Sequence, residues 1–390
     1  MKRALCFVLI LLLLGPCRAF AEAGAAAAVL PVSAPSAVPA LSVSAPSAVL
    51  MEKETGTVLY EKNAHEPGFP ASVTKLMTLL LLFEAMDAGV LSPDDVVTAS
   101  ERAASFGGSC VYLEAGEQMS VRDMIKCIAV VSANDCAVAM AEHLCGTEEV
   151  FVQRMNARAK ELGLEHTHYS SCSGLFDDGE TFTSAYDVAL LSRELLRHEA
   201  VKDYTTIWMD AIRDGEFELV NTNKLVNRYP GCTGLKTGYT STARYCLSAS
   251  AERGGVEYIA VVMHAESAES RNRDAEALLN YAFASFRLVP LTDGRALPSL
   301  PVELGVRDRI SLAYGGPEAV LLPKGPDASY SLSLPERCTA PVRAGDRIGT
   351  LRVRVGEETV AERPVVAAED VPRIGFTGIL LRLAGSLVGL

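Results

Sequence analysis

The chain has 390 residues, of which 49% are hydrophobic and 22% charged, enough apolar sequence for the core of one large domain and a smaller one. Its formal net charge is −12. Removing residues 1–21, which hold Lys2, Arg3 and Arg18 and no acid, would leave about −15. Acidity on that scale excludes nucleic acid as a partner, because phosphate binding needs clustered Lys and Arg.

Residues 1–21 have the order of a secretory signal: Lys2-Arg3, an apolar run from Leu5 to Leu14, and small residues at Ala19 and Ala21 before a cleavage point. Gly15, Pro16 and Arg18 end the run short of the roughly 20 residues that a membrane span needs. Residues 22–46 form an Ala/Ser/Pro/Val leader in which the string Val32–Val38 recurs as Val43–Val49. Two short runs, 48–52 and 57–61, flank Gly56 and predict a β-hairpin.

The pattern over 71–88 predicts a helix, with Pro70 immediately before it. Helices are also expected over 122–131, 136–144, 184–198 and 271–286, and strands over 245–251 and 256–263. Strands at both ends with helices between them point to a mixed α/β sandwich rather than a βαβ repeat. After Pro290 the texture changes to short β-like runs at 318–322, 329–334, 350–355 and 359–366, a small all-β domain. The expected organisation is a signal (1–21), a leader (22–46), an α/β domain (47–288), a β domain (289–372) and a tail (373–390). On a helical wheel the tail gathers Phe376, Ile379, Leu380, Leu383, Leu387 and Leu390 on one face, as in a helix lying in a lipid headgroup layer.

Of ten cysteines, Cys6 and Cys17 fall in the signal. Cys136 and Cys145 would stand on opposite faces of one helix and cannot bridge each other. The favoured reading of the remaining eight is of buried free thiols serving as small hydrophobes.

Three short motifs carry chemistry. Ser72 and Lys75, three apart at a helix start, share one face, so lysine can serve as base to a hydroxyl nucleophile if its proton is easy to lose. A helix N-terminus pushes the lysine in that direction. Ser132-Ala133-Asn134 sits at a helix break, where it could face a cleft or simply cap a helix. Lys236-Thr237-Gly238 precedes a strand-like run; it could hold a carboxylate, with Gly238 admitting a ligand to the backbone, or form a β-turn. Each motif is weak alone, but the ordered set marks penicillin-binding proteins and class A β-lactamases. His166, His168 and Cys172 are too few for a metal site, and neither metal nor cofactor is expected.

From about Ser47 to Phe286 the chain resembles the low-molecular-weight penicillin-binding proteins, the serine D-alanyl-D-alanine carboxypeptidases. The resemblance rests on Pro-Ala-Ser-Val-Thr-Lys-Leu-Met-Thr (70–78), Gly-Gly-Ser (107–109), Tyr-Leu-Glu-Ala-Gly-Glu (112–117), Ser-Ala-Asn-Asp (132–135), Gly-Leu (174–175), Thr-Ser-Ala-Tyr-Asp (183–187) and Gly-Leu-Lys-Thr-Gly-Tyr-Thr (234–240). It implies a DD-peptidase/β-lactamase-like α/β sandwich with a small C-terminal all-β domain. The substrate would be a peptidoglycan stem ending in D-Ala-D-Ala, and β-lactams would acylate the same serine. By that resemblance Ser72 is the nucleophile, Lys75 its base, and Ser132 a proton relay with Asn134 orienting substrate. Lys236 and Thr237, next to Gly238, would bind the terminal carboxylate, and the backbone N–H groups of Ser72 and Tyr239 would form the oxyanion hole. The family's amphipathic C-terminal anchor would hold the exported protein on the outer face of the cytoplasmic membrane. Two departures stand out: Ser171-Cys172 replaces the usual Asn-Pro before Gly174-Leu175, and Cys232 lies just ahead of the third motif. A class A-like β-lactamase is the rival enzyme, although Ala133 stands where that class usually has Asp. A catalytically idle peptidoglycan-binding module is the rival without chemistry.

Overall fold

The computed structural model describes residues 41–388, with side chains as far as Leu383. The expected signal (1–21) and the leader as far as residue 40 lie outside the described residues. The end of the leader is already packed. Val43 and Ala45 are buried, and the Asp274 carboxylate accepts hydrogen bonds from the Ser44 hydroxyl and the Ala45 amide, both at 2.8 Å. Ordered structure therefore begins before Ser47, within the second copy of the repeat.

β1 (Ser47–Glu52) and β2 (Val58–Lys62) form the expected hairpin, with Gly56 at φ 70° in its turn. The chain then enters a helical layer made of α1 (Lys75–Asp87), α2 (Val121–Val130), α3 (Asn134–Cys145), α4 (Glu148–Glu161) and α5 (Ala185–Leu195). It returns through β3 (Cys232–Thr240), β4 (Arg244–Arg253) and β5 (Val256–Ala265), and closes with α6 (Ala268–Ser285). The five strands make one antiparallel sheet in the order β2-β1-β5-β4-β3, which leaves β3 as an edge.

The period of two along β1 assigns its residues to opposite faces. Val49 and Met51 enter the core under the helical layer, while Ala48 and Leu50 enter the core under α6. Because both faces are covered, β1 reads as a continuous apolar run rather than an alternation. α1 lies in the middle of its layer, with every residue from Lys75 to Phe83 buried, so it is apolar all round.

The serine-rich punctuation of the sequence becomes helix caps. Ser120, Thr147, Ser184 and Ser267 each accept a backbone N–H at the start of α2, α4, α5 and α6. Two elements differ from expectation. α4 was not foreseen, because only Phe151, Met155 and Ala159 mark its buried stripe among many charges. The Lys236-Thr237-Gly238 motif lies inside β3 rather than ahead of a strand or in a turn; its glycines hide the strand pattern.

Beyond α6, Phe286–Pro290 pairs with Ala319–Pro323 and leads into the β domain. There Leu312–Tyr314, Glu358–Ala367, Arg347–Val355 and Ala328–Ser333 form a four-stranded sheet in that order. The buried Arg363 guanidinium ties the domain together by donating to the Gly315 and Leu291 carbonyls. The tail forms α7 (Phe376–Val388). Arg382 pairs with Asp308 at 2.8 Å and donates to the Val306 carbonyl, while Phe376, Leu380 and Leu381 are exposed. Among the described residues no helix is long and apolar enough to cross a membrane.

All eight cysteines from Cys110 to Cys338 are free thiols, and five of them are buried. Burial raises the Cys232 thiol to about 11 and the Cys246 thiol to about 12, so both stay protonated packing groups.

Candidate active site

The first motif straddles a change of helix type. Ala71–Thr74 is a single 3-10 turn, and α1 begins only at Lys75. Ala71 is held at φ 50°, a left-handed value uncommon for a residue with a Cβ. The turn directs the half-buried Ser72 to the surface of a cleft and sinks Lys75 beneath it. Lys75 Nζ donates to Ser72 Oγ at 3.0 Å, to Asn134 Oδ1 at 2.6 Å and to the Ser173 carbonyl at 2.8 Å.

Among the described residues no carboxylate pairs directly with that amine. Burial lowers its pKa from 10.5 to about 7, against smaller raising effects from Cys172, Cys110 and Asp135. The sequence reading credited the helix terminus with easing this proton off. Desolvation is the larger cause, and the result is an amine that is substantially neutral near pH 7.

The second motif lies at the α2–α3 junction. Ser132 takes φ 66°, so the chain turns sharply and Asn134 opens α3. Asn134 Nδ2 donates to the Gly107 carbonyl (2.8 Å) and its amide to the Ser109 carbonyl (2.7 Å), which fixes Oδ1 toward Lys75. Asp135 fastens the same loop by accepting from the amides of Val111 (3.0 Å) and Leu113 (3.1 Å). Ser132 Oγ is buried and has no hydrogen-bond partner among the described residues. A polar atom left unpaired at a cleft is positioned for a group that arrives from outside.

The third motif closes the opposite wall. Ser72, Ser132, Thr237, Gly238 and Tyr239 line one cleft of about 840 Å³. Thr237 Oγ1 donates to Thr222 Oγ1 at 2.8 Å. Lys236 is buried behind the cleft and donates to the Thr237 carbonyl at 3.0 Å. Burial, with the nearby charges of Lys75 and Arg271, pushes its pKa well down.

Gly238 has a cause different from the one read in the sequence. A Cβ there would meet the Pro70 carbonyl oxygen at 2.6 Å, so glycine is required for the Ser72 turn to pack on β3.

The sequence reading missed several supporting residues. Arg271 is buried on α6, lines the cleft, and is lowered to about 10, chiefly by burial. It falls at the first residue of the expected helix and carries no motif. Thr222 and the Ser173 carbonyl have no sequence signature at all. Glu148, buried at the start of α4, accepts from the Cys172 amide at 3.1 Å and pairs with Arg102, which steadies the segment bearing Ser173. His168 bonds the Glu180 carbonyl and His166 meets the ring of His65; among the described residues no His/Cys/Asp/Glu group is placed to hold a metal.

Gly174 is the tightest glycine of the site. At φ 65°, its missing Cβ would overlap the Ala71 carbonyl and lie 2.5 Å from Thr74 Oγ1. Gly174→Ala is expected to cost about 2–4 kcal/mol, since the obstacle is backbone and the φ itself is strained. Chemical denaturation checks this, and an unchanged midpoint would mean that the Ser72 turn shifts freely.

A family model described as D-alanyl-D-alanine carboxypeptidase matches residues 32–267, and one described as the C-terminal domain of penicillin-binding protein 5 matches 290–373. The chain belongs to the D-alanyl-D-alanine carboxypeptidase family. It is 42% identical over 344 residues to the D-alanyl-D-alanine carboxypeptidase DacF of Bacillus subtilis (strain 168), covering 86% of this chain and 88% of that relative. Penicillin-binding protein 5 of Haemophilus influenzae shares its fold with a TM-score of 0.74 and 28% identity, over 86% of this chain and 100% of that one. Penicillin-binding protein D2 of Listeria monocytogenes, solved in an ampicillin-bound form, is 36% identical with a TM-score of 0.57, over 63% of this chain and all of that one. The mixed α/β architecture with its C-terminal β domain is the family's, and the activity is that of a serine-type carboxypeptidase, a hydrolase acting on peptidoglycan peptides.

Proposed function

We propose that residues 47–288 remove the terminal D-alanine from stem peptides through an acyl-enzyme on Ser72. One observation carries the assignment: a buried lysine, lowered to about 7, donates a 3.0 Å hydrogen bond to a hydroxyl at the cleft surface. Neutral Lys75 takes the Ser72 proton while Oγ attacks the carbonyl of the penultimate D-Ala. The Ser72 and Tyr239 amides receive the negative charge that develops on the carbonyl oxygen. The C–N bond breaks, and the proton passes to the leaving nitrogen, for which the unpaired Ser132 hydroxyl on the cleft wall would serve as relay. Water then hydrolyses the Ser72 ester. Thr237, Gly238 and Arg271 meet the leaving carboxylate at the cleft wall, with Lys236 buried behind Thr237.

β-Lactams present a cyclic amide to the same serine, and their leaving nitrogen stays tethered to the acyl group. The test joins both reactions. D-Alanine release from diacetyl-L-Lys-D-Ala-D-Ala is expected, together with one penicilloyl adduct on the peptide containing Ser72. An adduct elsewhere, or rapid nitrocefin turnover without D-alanine release, would overturn the reading.

The β domain (289–372) would carry the catalytic domain clear of a surface, and the tail would supply the anchor after export directed by residues 1–21. The outward Phe376, Leu380 and Leu381 support an α7 that lies in a lipid interface on the outer face of the cytoplasmic membrane. Deleting 374–390 should release the protein from membranes with penicillin labelling intact. Sedimentation of the truncated form with membranes would refute the anchor.

A further inference from the structure

Two residues that stand off the cleft break a conformational rule in opposite senses, and they touch. His264, next to last in β5, is held at φ 63°, a left-handed value that few residues with a Cβ adopt. Gly68 lies outside the left-handed region, so its backbone has no need of glycine. What excludes a side chain there is the imidazole. A Cβ at Gly68 would stand 2.3 Å from His264 Nε2 and 2.8 Å from Cε1, so the ring is packed directly on the Gly68 backbone.

The left-handed residue belongs to a β-bulge. Between the pairs Leu247↔Val262 and Tyr245↔Ala265, β5 spends two residues, Met263 and His264, against the single Cys246 of β4. The bulge aims the imidazole at two segments at once. On one side, Gly68 is clamped to Thr183 by two backbone hydrogen bonds of 2.8 and 2.9 Å, and leads through Phe69 and Pro70 into the Ser72 turn. On the other side, His264 Nδ1 stands 3.0 Å from the Ala243 carbonyl, so Nδ1 carries a proton and donates it. Ala243 is buried in the turn that joins β3 to β4, and its amide donates to Thr240 Oγ1 at 3.0 Å, one residue past Tyr239. One half-buried side chain thus braces the approach to Ser72 and fastens the turn that follows Tyr239.

Ser72 and Tyr239 supply the amides assigned above to the oxyanion hole, whose donors act only when both lie about 3 Å from the developing oxyanion. A spacer between their two backbones sets that geometry. We propose that His264 is a positioning residue for acylation, fixing the separation of the Ser72 and Tyr239 amides through its contact with Gly68 and its hydrogen bond to Ala243. Nδ1 donates whether the imidazole is neutral or charged, so the brace persists as pH falls. The inference rests on the Ser72 acyl-enzyme and oxyanion-hole reading.

Benzylpenicillin separates non-covalent binding from the rate of ester formation. His264→Gly accepts the left-handed φ but deletes the brace. Its limiting acylation rate is expected to fall about tenfold, a fraction of the roughly 10²–10³ lost with a whole oxyanion donor. Its dissociation constant for the non-covalent complex should stay within about twofold of wild type, and its acylation pH profile should keep the midpoint set by Lys75. His264→Asn tolerates a positive φ and can donate from Nδ2 to the Ala243 carbonyl, so it should recover most of the rate. If His264→Gly does not fold, Gly68→Ala takes its place. The added methyl group displaces the ring and should lower the rate similarly, and combining it with His264→Asn, a shorter side chain, should restore it. A wild-type rate in His264→Gly or Gly68→Ala, a loss confined to the dissociation constant, or a loss that asparagine does not rescue overturns the positioning role. If the wild type itself forms no adduct on Ser72, the acyl-enzyme reading falls instead.

Discussion

Replacing Ser72 by alanine is expected to abolish penicillin labelling and to lower D-alanine release by about 10⁴-fold or more, the scale on which serine acyl enzymes lose activity without their nucleophile. The variant should fold normally. Ser72 is only half-buried, and its hydroxyl oxygen accepts one hydrogen bond, from Lys75. Lys75 keeps the Asn134 and Ser173 oxygens after the change, so no buried charge is stranded. A melting temperature close to wild type would therefore accompany the lost activity. Intact-mass measurement after benzylpenicillin decides the point, because a Ser72→Ala protein that still gains one penicilloyl group must have its nucleophile elsewhere.

The motifs made most of this site legible because they record side-chain chemistry, which a fold must preserve at fixed places. Ser72, Lys75, Ser132, Asn134, Thr237, Gly238 and Tyr239 converge on one cleft or its floor. What the sequence hid was backbone. The Ser173 carbonyl that receives Lys75 could be any residue's carbonyl, so Ser171-Cys172 in place of Asn-Pro leaves that function intact. Arg271 reaches the cleft because α6 starts at Ala268, three residues before the expected helix, and because α6 crosses behind β4 and β5. Neither follows from a local pattern. The hairpin and α1 were legible because β1 is covered on both faces and α1 on all sides, so that burial wrote itself into the composition. α4 meets the core along one narrow stripe and left little trace.

The lysine supplies the second large effect, and its signature is a pH profile. With Lys75 lowered to about 7, the protonated form dominates below neutrality and cannot accept the Ser72 proton. Penicillin acylation should therefore rise about tenfold per pH unit below that value and level off above it. Lys75→Met keeps the length and the packing but removes the base, and acylation should fall about 10²- to 10⁴-fold at every pH. Stability gives an independent readout. A lysine lowered from 10.5 binds fewer protons in the native state than in the unfolded chain between pH 7 and 10.5. Wild-type stability should accordingly gain with pH across that window, relative to Lys75→Met, and the penalty should be complete below it. Denaturation curves at pH 6, 8 and 10 for both proteins measure the difference. If acylation does not change between pH 6 and 8, or if the relative stabilities stay constant, Lys75 is not the titrating base and its burial has another purpose.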